Sequence, residues 1–247
     1  MQAVFAMEPS SPSRNSPPGF CVGCAYVASC QAGGYGKPEL SGLRHIVERS
    51  APLRTGEYLY RASIPFRALY AVQTGMAKTV MVDIAGREKV LAFHLPGEVI
   101  GLDAAYQGSY DNAVVALGKT QFCKFPFPAV RQLANHYPNV QWHLMQVLSR
   151  QIRQQQLASG DCPAEERMAR FLIDLRDRRA ALGMSAERLP LPMSRADIAN
   201  HLGLATETVS RLLTRFRDQN LISIDREGLD LLDSEKLRSL ENSALKH

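Results

Sequence analysis

The chain has 247 residues, 45% of them hydrophobic and 21% charged, with a net charge of +5. That make-up suits a globular chain able to bury one large core or two modest ones, and it excludes a low-complexity polymer. The basic balance favours a polyanionic partner, but only weakly.

Residues 1–20 are dominated by Ser and Pro from Pro9 onward and read as disordered. They lack the basic stretch and apolar core of a secretory leader. No apolar run in the chain approaches the ~20 residues that cross a bilayer, so a cytoplasmic location without membrane contact is expected. Cys21, Cys24 and Cys30 follow within ten residues, ahead of Gly33, Gly34 and Gly36; Cys123 and Cys162 complete a set of five cysteines. An odd number with three clustered is a poor disulfide framework, and in a reducing compartment it points to metal ligation or redox chemistry. The triplet can reach one metal centre. Cys123, beside Phe122 and Phe125, is the best remaining candidate for a fourth ligand. Four soft thiolates suit zinc or an iron–sulfur cluster equally. Cys162 reads as incidental.

From about Leu53 to Pro128, short β-prone runs alternate with turn signals such as Asp83-Ile84-Ala85-Gly86 and Pro96-Gly97. This spacing predicts an antiparallel barrel or roll. After Pro138 the texture turns helical. Met145, Leu148 and Ile152 fall at alternating three and four spacing, a short coiled-coil seam between two copies or, more plainly, a helix packed on its own roll. Asp161-Cys162-Pro163 marks a restart, and Met168, Phe171, Leu172 and Leu175 form one apolar helical face ending near Gly183. A sensing half and a second half therefore meet near residue 160.

Residues 194–217 carry the most specific pattern. Ser194 with Asp197 approximates a capping box, and Ile198, Ala199 and Leu202 give the helix an apolar side. Gly203 permits a sharp turn, and Leu204 plugs the core between the helices. In the next helix Val209, Leu212, Leu213 and Phe216 must face inward, while Glu207, Ser210, Arg211 and Thr214 line another face. Arg211 can donate twice to guanine O6 and N7, Glu207 can accept from a cytosine amino group, and Ser210 allows close approach to thymine. Leu221 to Leu232 reads as a two-stranded wing. An ordinary helical hairpin with a solvated face is the competing reading.

Together these residues resemble the CRP/FNR family of bacterial regulators, and within it the FNR (fumarate and nitrate reduction) type. The resemblance rests on the Cys21, Cys24, Cys30 and Cys123 set, on the stretch from Gly86 to Glu98, and on the stretch from Gly203 to Arg211. It implies an α+β chain: an N-terminal β-roll of the cyclic-nucleotide-binding jelly-roll kind, a long dimerisation helix and a C-terminal winged helix-turn-helix. The expected divisions are 1–41 for the leader and cysteine loop, 42–130 for the roll, 131–160 for the dimer helix and 161–247 for the DNA-binding domain. The resemblance further implies a regulator, not an enzyme, with a [4Fe–4S] cluster on the four cysteines. An intact cluster would favour a homodimer on a palindrome of TTGAT-type half-sites in double-stranded DNA, with RNA polymerase as a further partner. It assigns base reading to Glu207, Ser210 and Arg211, and phosphate contact to Arg195 and Thr208. Two departures argue against cyclic AMP: no arginine occurs from Val99 to Leu117, and Thr206 stands where an arginine would precede Glu207. The alternatives are a structural zinc site with another effector in the roll, and a thiol oxidoreductase on Cys21 and Cys24. The latter lacks the βαβ surroundings such a motif needs.

Overall fold

The computed structural model describes residues 35–158, 162–225 and 228–241. Helix α1 (Lys37–Ile46) starts where Pro38 suits the first turn and Glu39 accepts the Gly36 N–H at 2.9 Å. The strands follow as β1 (Glu48–Arg49), β2 (Tyr58–Tyr60), β3 (Ala68–Thr74), β4 (Ala77–Val82), β5 (Glu88–His94) and β6 (Val99–Ile100). A short helix, α2 (Ala104–Gln107), precedes β7 (Ala113–Ala116) and β8 (Gln121–Pro126). These make two antiparallel four-stranded sheets, ordered β1-β8-β3-β6 and β2-β7-β4-β5, the expected jelly roll.

The roll is closed by its own side chains. Tyr60, Val72, Ile100, Tyr110, Val114 and Phe122 form its inner cluster. The Tyr60 and Tyr110 rings stack 3.9 Å apart, and the Tyr110 hydroxyl donates to the Ala68 carbonyl at 2.6 Å. A buried phenol with no partner would be costly, so this bond is what allows Tyr110 inside. Burial, with the nearby Asp103 carboxylate, drives the Tyr60 hydroxyl far above its ordinary range.

Two helices follow, where a single dimer helix over 131–160 was expected. They are α3 (Phe127–His136) and α4 (Pro138–Ala158). The break has a simple cause: Pro138 forces the residue before it out of the helical region, and Tyr137 is extended at φ −127° and ψ 99°. Residues 131–136 therefore belong to the helix that starts at Phe127. The expected division at 41/42 also fails, because it would cut α1.

The C-terminal half, called the head below, contains α5 (Ala164–Ala181), β9 (Arg188–Leu189), α6 (Arg195–Leu202), α7 (Thr206–Asp218), β10 (Ile222–Ile224), β11 (Leu229–Leu231) and α8 (Ser234–Glu241). Met168, Leu172 and Leu175 from α5 meet Ile198, Val209, Phe216 and Leu237 in one core, each almost fully buried. At about 1.5–3 kcal/mol per buried side chain of this size, that packing is the main support of the head. The wing differs from expectation. It has three strands, ordered β10-β11-β9, because Leu189 pairs with Leu229 and Arg188 with Asp230. Helix α8 was also unforeseen; Leu237 anchors it against the core, and Arg238 pairs with Asp177 at 2.7 Å.

Candidate nucleic-acid interface

Helix α6 begins as its sequence requires. The Ser194 hydroxyl accepts the Asp197 N–H at 3.0 Å, and the Asp197 carboxylate accepts the Ser194 N–H at 3.2 Å. Asp therefore completes the box in place of the commoner Glu. Gly203 ends the helix at φ 64°, a left-handed conformation in which a side chain would be strained. Leu204 is half-buried against the core, as a plug between two helices should be.

Helix α7 then presents two faces. Val209, Leu212, Leu213 and Phe216 are buried. Glu207, Ser210, Arg211 and Thr214 are all exposed and share the opposite side. From 207 to 214 that face runs about 10 Å, close to the length of three base pairs. The Ser210 hydroxyl donates to the Thr206 carbonyl one turn back at 3.0 Å, so it rests on its own helix. Arg195 stands at the first position of α6 and is half-buried; Thr208, in the first turn of α7, is also half-buried. The helix-turn-helix thus brings the three base-reading candidates together on one face and places both phosphate candidates at helix starts, where backbone N–H groups also favour anions.

Of the four cysteines expected to ligate a metal, Cys21, Cys24 and Cys30 lie outside the described residues. Cys123 is half-buried in β8, opposite Ala71 of β3 and Arg49 of β1. Strand alternation corrects one expectation: Phe122 points to the roll interior on the other face, so Phe125 alone of the two phenylalanines shares the face of Cys123. Cys162, beside the start of α5, accepts a hydrogen bond from Arg170 at 3.4 Å.

A Crp-like helix-turn-helix domain matches residues 166–240, and a cyclic nucleotide-binding domain matches residues 51–137. The transcriptional activator protein Anr of Pseudomonas aeruginosa is 37% identical over 235 residues, which is 94% of this chain and 96% of Anr. The chain belongs to the CRP/FNR family, in its FNR-type branch. The fumarate and nitrate reduction regulatory protein of Salmonella typhi is 33% identical over 223 residues, 89% of each chain. The solved structure of FixK2 from Bradyrhizobium japonicum superimposes with a TM-score of 0.71 at 28% identity, covering 79% of this chain and 98% of that one. This FNR-type chain is accordingly a DNA-binding transcription regulator and not an enzyme.

The expected dimer seam is solvent-facing in the single chain. Helix α4 packs on its own roll through Leu144 and Val147, and Val140 and His143 on the same side are buried, while Met145 and Ile152 are 54% and 56% exposed and Leu148 37%. Trp142 extends the same outward stripe at 58% exposure. A helix can satisfy both readings because its two apolar faces are about 140° apart. No helix among the described residues is long and apolar enough to cross a membrane.

Sequence reasoning missed the residues that hold the reading helix in place. Arg167 of α5 donates to the Leu202 carbonyl at 2.8 Å and to the Gly203 carbonyl at 3.4 Å, clamping the turn between α6 and α7. Arg215 of α7 pairs with Glu165 of α5 at 3.0 Å. Neither carried a signal beyond being an arginine, because each partner is far away along the chain.

Proposed function

We propose that this protein is a homodimeric regulator of transcription whose grip on a palindromic operator responds to oxygen or redox state. The observation that carries the DNA half is the exposed Glu207, Ser210 and Arg211 face on a helix whose other side is locked into the head core. Each subunit reads one half-site of the TTGAT type. Pairing through Met145, Leu148 and Ile152 makes the second half-site an intramolecular encounter, so loss of pairing costs most of the affinity. Arg195 and Thr208 set the register on the phosphates without reading bases. RNA polymerase is the expected partner of the DNA-bound dimer, and the protein works in the cytoplasm.

For the sensing half, Cys21, Cys24, Cys30 and Cys123 would hold a [4Fe–4S] cluster. Cys123 fits that role: it is partly accessible, faces away from the roll interior, and lies beside β1, the strand that continues directly from α1 and the N-terminal chain. When bound, such a cluster supplies an oxygen-labile inorganic link between the leader and the roll. The remaining polar chemistry of the roll gives no support to a cyclic nucleotide as the signal. No arginine occurs from Val99 to Leu117, and the stacked Tyr60 and Tyr110 fill the interior. The names of the relatives support the same reading: Anr is a transcriptional activator, and the protein from Haemophilus influenzae, 33% identical over 216 residues, is an anaerobic regulatory protein.

Purification without oxygen should give brown protein that carries iron and bleaches in air, and that sediments as a dimer before exposure and largely as a monomer after it. Cys24→Ser should be colourless and monomeric. Colourless wild-type protein with one zinc per chain would overturn the oxygen-sensing half and leave the DNA-reading half standing.

A further inference from the structure

The face of the head that packs on the roll is also polar, yet its partners lie in the chain's own roll. Arg178 of α5 reaches the turn after β5. Its Nε donates to Glu98 Oε1 at 2.8 Å, and its Nη2 donates to Glu98 Oε2 and to the Phe93 carbonyl, both at 2.5 Å. Its Nη1 is held by Asp174 at 2.9 Å. Glu98 Oε2 also accepts the Leu95 N–H at 2.9 Å, which ties the carboxylate to the roll backbone. Both charged side chains are largely buried, 13% and 14% exposed.

A second contact fastens α6 to the same strand. β5 is an edge strand, with backbone groups open on one side. The Asn200 amide covers them: its Oδ1 accepts the Val90 N–H and its Nδ2 donates to the Glu88 carbonyl, each at 2.7 Å. Lys89 donates back to the Asn200 carbonyl at 2.7 Å, and Lys78 of β4 pairs with Asp197. The Phe93 ring lies 5.8 Å from Phe171 and 5.1 Å from His201, so the polar contacts surround an apolar one.

A buried ion pair is weak evidence of stability, since desolvation offsets much of the attraction; its better-attested effect is to fix one arrangement. A two-pronged guanidinium–carboxylate contact restricts direction as well as distance. α6 packs directly on α7, so holding α6 and α5 on β5 holds the recognition helix too. In that held state Glu207, Ser210 and Arg211 stay exposed.

We propose that Arg178, acting with Asn200, is a positioning residue for DNA reading: it locks each head on the edge of its own roll, so that a dimer presents two recognition helices at one fixed spacing without any small molecule in the roll. This rests on the DNA-reading function proposed above. Rotation of one half-site by a single added base pair, about 35° around the duplex, then becomes costly because the heads do not swing to follow.

The test is an anaerobic gel-shift series with full-length protein on palindromic duplexes whose half-site spacing is changed one base pair at a time. Wild type should bind one spacing at least roughly tenfold more tightly than its neighbours. Arg178→Glu, and separately Asn200→Ala, which leaves the head core untouched, should flatten that profile and weaken the best site by roughly tenfold, with single half-site affinity unchanged. Glu98→Arg with Arg178→Glu should restore the profile. If wild type binds the palindrome and Asn200→Ala keeps the same sharp profile, and the paired charge exchange brings no recovery over Arg178→Glu alone, the lock is refuted and the DNA function survives. If wild type shows no preference for the palindrome over random duplex, the reading on which the lock rests falls, and the lock falls with it.

Discussion

The head has two polar faces that behave in opposite ways. On its docking face Arg178, Asn200 and Asp197 find partners in the roll. On its reading face Glu207, Ser210 and Arg211 lie exposed at the surface. Polarity alone does not separate a structural face from a functional one. Where the partner resides does: groups that are buried and paired within the chain hold it together, and groups that stay exposed on a rigid helix await a ligand.

That contrast can be broken or sharpened by substitution. The largest effect should come from Glu98→Ala, which leaves the buried Arg178 without its main counter-charge; chemical denaturation should show a loss of about 3–5 kcal/mol. Unchanged stability would mean that the docking face is dispensable. Next is acid. Burial pushes the His94 imidazole down to about 4, with Glu98 opposing the shift and Arg178 adding to it. An unfolded His94 takes its proton near 6.5, so between these values the unfolded chain binds more protons, and stability falls as pH drops from about 6.5 towards 4. His94 should account for about 3 kcal/mol of that loss, read from urea midpoints, and His94→Gln should remove that share while His143 and His201, also lowered by burial, keep theirs. Glu98 adds a separate loss at lower pH: burial alone would raise its carboxyl, but Arg178 holds it below the ordinary value, and that contribution goes as the group protonates.

Smaller again is the reading face, where the effect moves from stability to binding. Arg211→Ala should cost about 1–3 kcal/mol on a cognate duplex and relax preference at one base, with thermal stability unchanged. Equal loss on every duplex would make Arg211 a phosphate contact. Least of all should be Arg188→Ala. Arg188 joins Asp225 and Asp230 in the wing, but all three are well exposed, and no measurable shift in the denaturation midpoint is expected.

How far the fold could be read in advance followed the range of each signal. The two helices of the reading motif were plain because their determinants are local: Ser194 with Asp197, Gly203, and the 3.6-residue recurrence of Val209, Leu212, Leu213 and Phe216. Strand β9 was invisible, since two residues, Arg188 and Leu189, carry no periodicity and become a strand only by pairing with β11 some forty positions later. Helix α1 hid behind Pro38 and Gly42, and the α3–α4 break was signalled by Pro138 but overridden by the helical texture around it. At the site, Glu207, Ser210 and Arg211 were legible as a face. Arg178, Arg167 and Asn200 were not, because a docking residue is defined by partners that only tertiary structure brings near.

The most direct test of the account is the affinity of anaerobically purified protein for a palindromic duplex and for the same duplex with one half-site scrambled. The account predicts at least roughly 100-fold weaker binding to the scrambled duplex, and collapse of that difference once air has entered. Equal affinity for the two duplexes, or a difference that air leaves untouched, would contradict it.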